Sequence, residues 1–168
     1  LKSIFVLSVI AVFSLSLNSQ CSDLIISKYV EGSGKNQAIE VQNLSGSPIN
    51  LTGYNIKVYL NGTATASSTI NLSGTLASRD KYLITNPDAA NDINNNYSPD
   101  LTNAGINFTG DDAIGLYNGT TLLDVIGTIG EDPGASWVDT ATNRSTKNKT
   151  LLRTANVTQG VSTNPSSG

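Results

Sequence analysis

Carboxylates are the side chains most able to do chemistry in this chain, because its 168 residues include 13 Asp and Glu but no His. Histidine is the commonest general base near neutral pH and the commonest transition-metal ligand. Serine–histidine and cysteine–histidine sites are therefore excluded, and a zinc site would have to use carboxylates and a single cysteine. Two acids at a suitable separation are enough for glycoside hydrolysis. The acids available for such a pair are Glu31, Glu40, Asp111, Asp112, Asp124, Glu131 and Asp132.

Two loops hold the candidate ligand-binding residues. Glu31, Ser33 and Asn36 lie in a glycine-rich segment, where the glycines also suit a tight reversal between strands. Asp111 and Asp112 follow a glycine, and they either cap a turn by accepting backbone N–H bonds or bind Ca²⁺ together with nearby carbonyl oxygens. Turn capping is the preferred interpretation. Ca²⁺ is the one cofactor that the sequence leaves open.

Two further acids are expected to have structural partners. Asp124 lies two residues from both Leu122 and Ile126, so it is expected on the same side of the strand as they are. There it would lie either at a sheet edge or buried beside a cation such as Arg153. Glu40 lies on the polar face of its strand, where a cross-strand partner is expected rather than catalysis.

The charge of the chain argues against a nucleic-acid partner. The formal net charge is −3, only 14% of residues are charged, and the ten Lys and Arg look scattered along the chain. Nucleic-acid binders usually carry a basic patch that releases counterions from phosphates. We therefore expect no direct DNA or RNA partner.

The N-terminal segment predicts export. Residues 1–19 have the order of a secretory signal peptide, with Lys2 before an apolar run over 4–15 and a small, polar stretch after it. The run is too short to span a bilayer comfortably, so we expect no transmembrane span in the mature chain and a secreted or cell-surface location. Cys21 offers lipid anchoring as the alternative, although residues 18–20 match the preferred processing sequence poorly. A single cysteine also rules out an internal disulfide.

Apolar residues alternate with the period of strands over most of the remaining chain. No window has the apolar stripe of a long helix; residues 87–93 would form one helical turn at most, and 91–103 reads as a polar loop. Trp137 is expected to be a core or sheet-covering residue. The predicted strands are 23–30, 38–43, 54–60, 68–72, 81–86, 112–118, 121–127 and 150–153.

Turn residues separate these strands. Asn118-Gly119 predicts a type I′ hairpin, since both residues tolerate positive φ, and Asn61-Gly62 is a second candidate. About eight short strands separated by such turns favour a two-sheet antiparallel β-sandwich in one all-β domain over 22–160. Residues 161–168 would begin a linker or a continuation. The chain starts at Leu1 and contains no methionine, which indicates either a non-standard start codon or a fragment of a larger parent protein.

Four stretches in order resemble bacterial lamin-tail domains: 23–41, with its Glu-Gly-Ser-Gly-Lys-Asn loop, then 107–117, 124–137 and 152–160. The resemblance implies an immunoglobulin-like sandwich in a secreted or surface protein, often attached to a nuclease, a phosphatase or a sorting element. Lys28 stands where an acidic residue is usual in the family. That difference argues against a cation-binding role for this position.

These observations together predict a non-catalytic extracellular binding or spacer module whose partner is a protein or a glycan at the cell surface. The alternative is a Ca²⁺-dependent adhesive or carbohydrate-binding domain, which would need clustered acids on one loop edge. A small secreted hydrolase is the third possibility. We predict no enzymatic activity, because a sandwich of this size offers no deep cleft for a substrate.

Overall fold

The computed structural model describes residues 24–166. The predicted signal peptide at 1–19 and Cys21 lie outside the described residues. In chain order the elements are β1 (Leu24–Glu31), β2 (Gln37–Asn43), β3 (Ile49–Asn50), β4 (Tyr54–Tyr59), β5 (Ser68–Asn71), β6 (Thr75–Leu76), β7 (Lys81–Thr85), α1 (Asn91–Tyr97), β8 (Leu101–Thr102), β9 (Ala113–Asn118), β10 (Thr121–Ile126), β11 (Val138–Asp139), β12 (Arg144–Ser145) and β13 (Thr150–Leu152).

Two principal sheets form an all-β, immunoglobulin-like sandwich, as the sequence predicts. The first sheet has five strands in the order β13-β1-β2-β7-β8, and the second has four in the order β10-β9-β4-β5. Their pairs are antiparallel except for the short parallel pair of β7 with β8. All eight predicted strands are present. Five further strands of two residues each were not predicted, because two residues are too few to show alternation.

The core lies between the two sheets and follows the alternation of the strands. Ile39 and Val41 of β2 in the first sheet and Ile56 and Val58 of β4 in the second are all fully buried in one cluster that draws residues from both sheets. Burying each such side chain stabilises the fold by roughly 1.5–3 kcal/mol. Tyr29 of β1 is also buried and packs on Phe108, with their ring centroids 5.1 Å apart.

A β-bulge changes which side of β10 its residues face. The register of β10 against β9 shifts between Leu122 and Asp124. Leu122 packs with a small second cluster around Tyr117, whereas Ile126 packs against the main core. The prediction that Leu122, Asp124 and Ile126 share one face is therefore wrong, since an inserted residue reverses the alternation beyond it.

The hairpin between β9 and β10 is present, but its turn differs from the prediction. Asn118 pairs with Thr121 as the last residue of β9, so the central residues are Gly119 and Thr120. Only Gly119 has a positive φ, of 58°, which is the pattern of a type II′ turn. Both central residues of a type I′ turn have positive φ, and that pattern occurs instead at Asn61-Gly62, with φ of 50° and 71°.

Residues 91–97 form a helix, so the prediction of a polar loop is wrong there. The side chain of Asn94 explains the difference: its amide group donates to the carbonyl oxygens of Asn86, Pro87 and Ala89, and its oxygen accepts from the Thr85 hydroxyl at 2.8 Å. These contacts fix α1 to the end of β7, which a periodicity argument does not detect. Within residues 24–166, no helix has the length and apolar character needed to cross a membrane.

Trp137 covers the end of β10. Its indole is half-buried against the backbone of Gly127, where an added Cβ would lie 2.5 Å from the indole nitrogen. The backbone N–H of Trp137 donates to the Thr146 hydroxyl at 3.1 Å, which joins the start of the β11–β12 hairpin to the residue after β12. Of the two expected roles, core or sheet-covering, the structure excludes the first, because Trp137 belongs to neither core cluster of the described residues.

Candidate functional site

The glycine-rich loop after β1 is held by two of its three predicted site residues. Glu31 is 7% exposed, and its carboxylate accepts a hydrogen bond from the backbone N–H of Asn148. The Asn36 side-chain oxygen accepts the backbone N–H of Ala90, just before α1, at 2.7 Å. Ser33 is exposed, and its carbonyl accepts the Asn36 N–H at 3.3 Å. Glu31 and Asn36 thus tie this loop to other segments of the chain.

The aspartates before β9 act mainly as turn caps. Asp112 is 3% exposed; one oxygen accepts the Asn61 N–H at 2.8 Å and the other accepts the Thr109 N–H at 2.6 Å. Asp111 accepts the Thr109 hydroxyl at 2.6 Å. The preferred interpretation, turn capping, therefore describes the contacts that these residues make.

Three of the predicted site residues carry negative charges that act on one buried tyrosine, Tyr29. The hydroxyl of Tyr29 lies 3.5 Å from the carbonyl oxygen of Thr109. Burial raises the pKa of Tyr29 far above its ordinary value, and the negative charges of Glu31, Asp112 and Asp111 raise it further. Across the part of the chain that the structure describes, no three Asp, Glu, Cys or His side chains are grouped as metal ligands.

Asp124 is fully buried beside Arg153, as hypothesised. The guanidinium lies 2.5 Å from one carboxylate oxygen of Asp124, and that oxygen also accepts the Val161 N–H at 2.8 Å. The other oxygen accepts the Ile26 N–H at 2.9 Å. Arg153 also donates from Nε to the carbonyl of Ile26 at 2.9 Å. One carboxylate thereby joins β10, β1 and the segment after β13.

Glu40 has the cross-strand partner that the sequence predicts. Lys28 of β1 and Lys81 of β7 each place Nζ 2.9 Å from one of its carboxylate oxygens. Burial works against the charged form, but hydrogen bonds from Lys81, Lys28 and Ser27 outweigh it and hold the pKa of Glu40 below its ordinary value. The unusual Lys28 therefore serves as an ion-pair partner for Glu40.

An apolar groove, here called the outer groove, lies on the face of the five-stranded sheet that points away from the core. It has a volume of about 360 Å³ and runs between α1 and β13. Two of its residues, Tyr97 and Leu152, are large side chains that are 66% and 65% exposed. The remaining lining residues are Lys28, Val30, Ala38, Leu83, Ile93 and Thr150.

A basic segment was missed by the sequence reasoning. Residues 144–153 contain four of the ten Lys and Arg and no acidic residue, so the interpretation of scattered basic residues is wrong here. Arg144, Lys147 and Lys149 are exposed and have no carboxylate within 4 Å among residues 24–166, whereas Arg153 is paired with Asp124. Counting charge in short windows along the chain would have revealed this segment.

Comparison with known proteins agrees with the fold. The lamin tail domain family matches residues 18–130, more than half of the chain. No curated protein matches this chain. The match ends before β13, although β13 completes the five-stranded sheet by pairing with β1. The order of signatures, the sandwich and this match lead to one conclusion: the chain belongs to the lamin tail domain family.

Proposed function

We propose that this chain is a non-catalytic module of an exported protein, and that it binds a protein or glycan partner or spaces a neighbouring domain at the cell surface. The observation that supports the proposal is how the buried acids are used. Glu31, Asp112 and Asp124 accept backbone N–H bonds, and Glu40 is held by two lysines. A catalytic acid or base needs a proton-transfer partner in an open site, and these carboxylates face their own chain.

The proposed location rests on the sequence. Residues 1–19 have the order of a signal peptide, and the lamin-tail signatures resemble those of bacterial secreted and surface proteins. A parent protein with a nuclease or phosphatase domain fits the family resemblance. In such a protein the module would act through its surface and not through chemistry of its own.

Ca²⁺ is not required in this proposal. Both oxygens of Asp112 already accept N–H bonds, and Asp111 faces the Thr109 hydroxyl. Ca²⁺ sites usually supply six to eight oxygen ligands, several of them from carboxylates free to turn toward the ion. The loop edge therefore favours the binding or spacer role over the Ca²⁺-dependent adhesive alternative.

Three measurements test the proposal on the full chain. We expect no turnover of nucleic-acid or polysaccharide substrates, and no change in heat or melting temperature on titration with Ca²⁺. We also expect a reporter fused after residue 168 to reach the outside of a bacterial host, and to stay inside when residues 1–19 are deleted. Substrate hydrolysis, a Ca²⁺-dependent rise in melting temperature or export without residues 1–19 would each contradict one part of the proposal.

A further inference from the structure

Strand β13 leaves one edge of the five-stranded sheet open. Among residues 24–166 its only strand partner is β1, with Val30 opposite Thr150 and Lys28 opposite Leu152. The flanking hydrogen bonds, from Glu31 N–H to the carbonyl of Lys149 and from Arg153 N–H to that of Ser27, fix which residues of β13 face β1. In an antiparallel ladder, residues whose N–H and C=O groups bond to the neighbouring strand alternate with residues whose groups point away from it.

Thr150 and Leu152 are these outward-facing residues. No hydrogen bond in the described part of the chain engages their backbone groups. Both residues are exposed, and Leu152 at 65% adds an apolar side chain beside the free polar groups. Unpaired N–H and C=O groups along a strand edge are a template for one more extended strand.

The open edge borders a trough of about 470 Å³, here called the edge trough. Asn143 in the turn of the β11–β12 hairpin and both residues of β12 also line it, so an added strand would lie between β13 and this hairpin. The lining residues are Asn143, Arg144, Ser145, Lys149, Thr150, Leu151 and Leu152.

The charge around the edge trough selects among extended partners. Arg144 and Lys149 line it, Lys147 lies close by in sequence, and residues 144–153 contain no acid, in a chain whose net charge is −3. Asp139 opposes Arg144 across the hairpin and offsets part of that charge. A second copy would bring its own basic edge against this one, and like charges at a strand edge disfavour such pairing.

We propose that the edge trough binds an acidic, extended peptide strand, which adds to β13 through the free backbone groups of Thr150 and Leu152. The inference deepens the proposed binding role and rests on it. The peptide backbone would pair with the open edge, alternate apolar side chains would contact Leu152, and acidic side chains would lie beside Arg144 and Lys149.

The test uses the full chain and short synthetic peptides in which valine alternates with glutamate, or with lysine as the charge control. Binding is followed by peptide fluorescence anisotropy and by backbone amide NMR of the protein. We expect the glutamate peptide to bind and the lysine peptide to fail. We also expect the amides of Thr150 and Leu152 to become protected from hydrogen exchange in the complex.

Two variants separate backbone pairing from charge. Thr150→Pro removes one outward N–H without breaking a bond to β1, so it should weaken binding roughly fivefold, whereas Thr150→Val should not. Lys149→Glu should weaken binding of the glutamate peptide roughly two- to fivefold and improve binding of the lysine peptide. Arg79→Glu, which also reverses one positive charge but at an exposed turn near the far end of β2, is the control.

Several results would overturn the inference. These are binding of neither peptide, amide changes confined to β5 or β10, and concentration-dependent self-association through β13. A heparin oligosaccharide that binds as tightly as the glutamate peptide, with an affinity that Thr150→Pro does not change, would indicate a general polyanion site instead. Absence of peptide binding would leave the spacer role in place, whereas hydrolytic activity would end the proposed function even if the peptide bound.

Discussion

Arg153→Met is the substitution that most directly tests how the last part of the chain is fixed to the sandwich. Met keeps much of the length and apolar stem of Arg153 but leaves the fully buried Asp124 carboxylate without its cation. Removing one partner of a buried ion pair typically costs about 3–5 kcal/mol. Asp124 keeps backbone N–H bonds from Ile26, Val125 and Val161, so the expected loss is near the lower end, about 3 kcal/mol.

The free energy of unfolding is measured by urea titration, followed by far-UV circular dichroism, at neutral pH. Arg144→Met is the matched control, because Arg144 is exposed and has no carboxylate within 4 Å in residues 24–166. It should change stability by less than about 0.5 kcal/mol. A double-mutant cycle with Asp124→Asn should give a large coupling energy, since either substitution alone disrupts the same pair. Equal stability of Arg153→Met and Arg144→Met would refute the reasoning.

Three further predictions concern separate parts of the sandwich. The pKa of Glu40 is lowered in the folded state, so the contribution of its ionised side chain to stability is present above its ordinary pKa of 4.5 and is lost as pH falls through the folded-state pKa. Glu40→Gln should therefore flatten the loss of stability that urea titrations measure below pH 4.5. Gly127→Ala should cost about 2 kcal/mol, because the new methyl group meets the Trp137 indole at a φ of 76°, whereas Gly134→Ala has a similar φ and open space and should cost less; equal losses would contradict the packing argument. Asn94→Ala removes the contacts that fix α1, so amide hydrogen exchange should quicken selectively over 91–97, and unchanged exchange there would contradict the proposed role of Asn94.

The strands were predictable because alternate residues in strands such as β2 and β4 are apolar and belong to the common core. Ile39, Val41, Ile56 and Val58 give that period directly, and their burial is what the structure shows. Glu40 could be assigned a structural partner for the same reason, since its place on the outer side of β2 leaves neighbouring strands as the source of a counter-charge. The local sequence pattern was therefore sufficient to predict the principal strands and the structural role of Glu40.

The errors arise where a tertiary contact decides local structure. Residues 91–97 have little apolar period, and the helix depends on one side chain, Asn94, bonding to residues before it. The bulge between Leu122 and Asp124 adds a residue that no alternation rule can locate. Of the predicted site residues, Glu31 and Asp112 turned out to bond backbone groups distant in sequence, Asn148 and Asn61, which composition alone does not show.

The pairing of β1 with β13 also has a consequence for how a newly made chain folds. Arg153 bonds to the carbonyl of Ile26, 127 residues earlier, so β1 is synthesised long before β13, its second neighbour in the sheet. Contacts this distant slow folding, because a long loop must close before they form. During synthesis, β1 therefore has one unpaired edge until β13 emerges. A chain that stops before β13 keeps this open strand edge, with which other nascent polypeptides can pair.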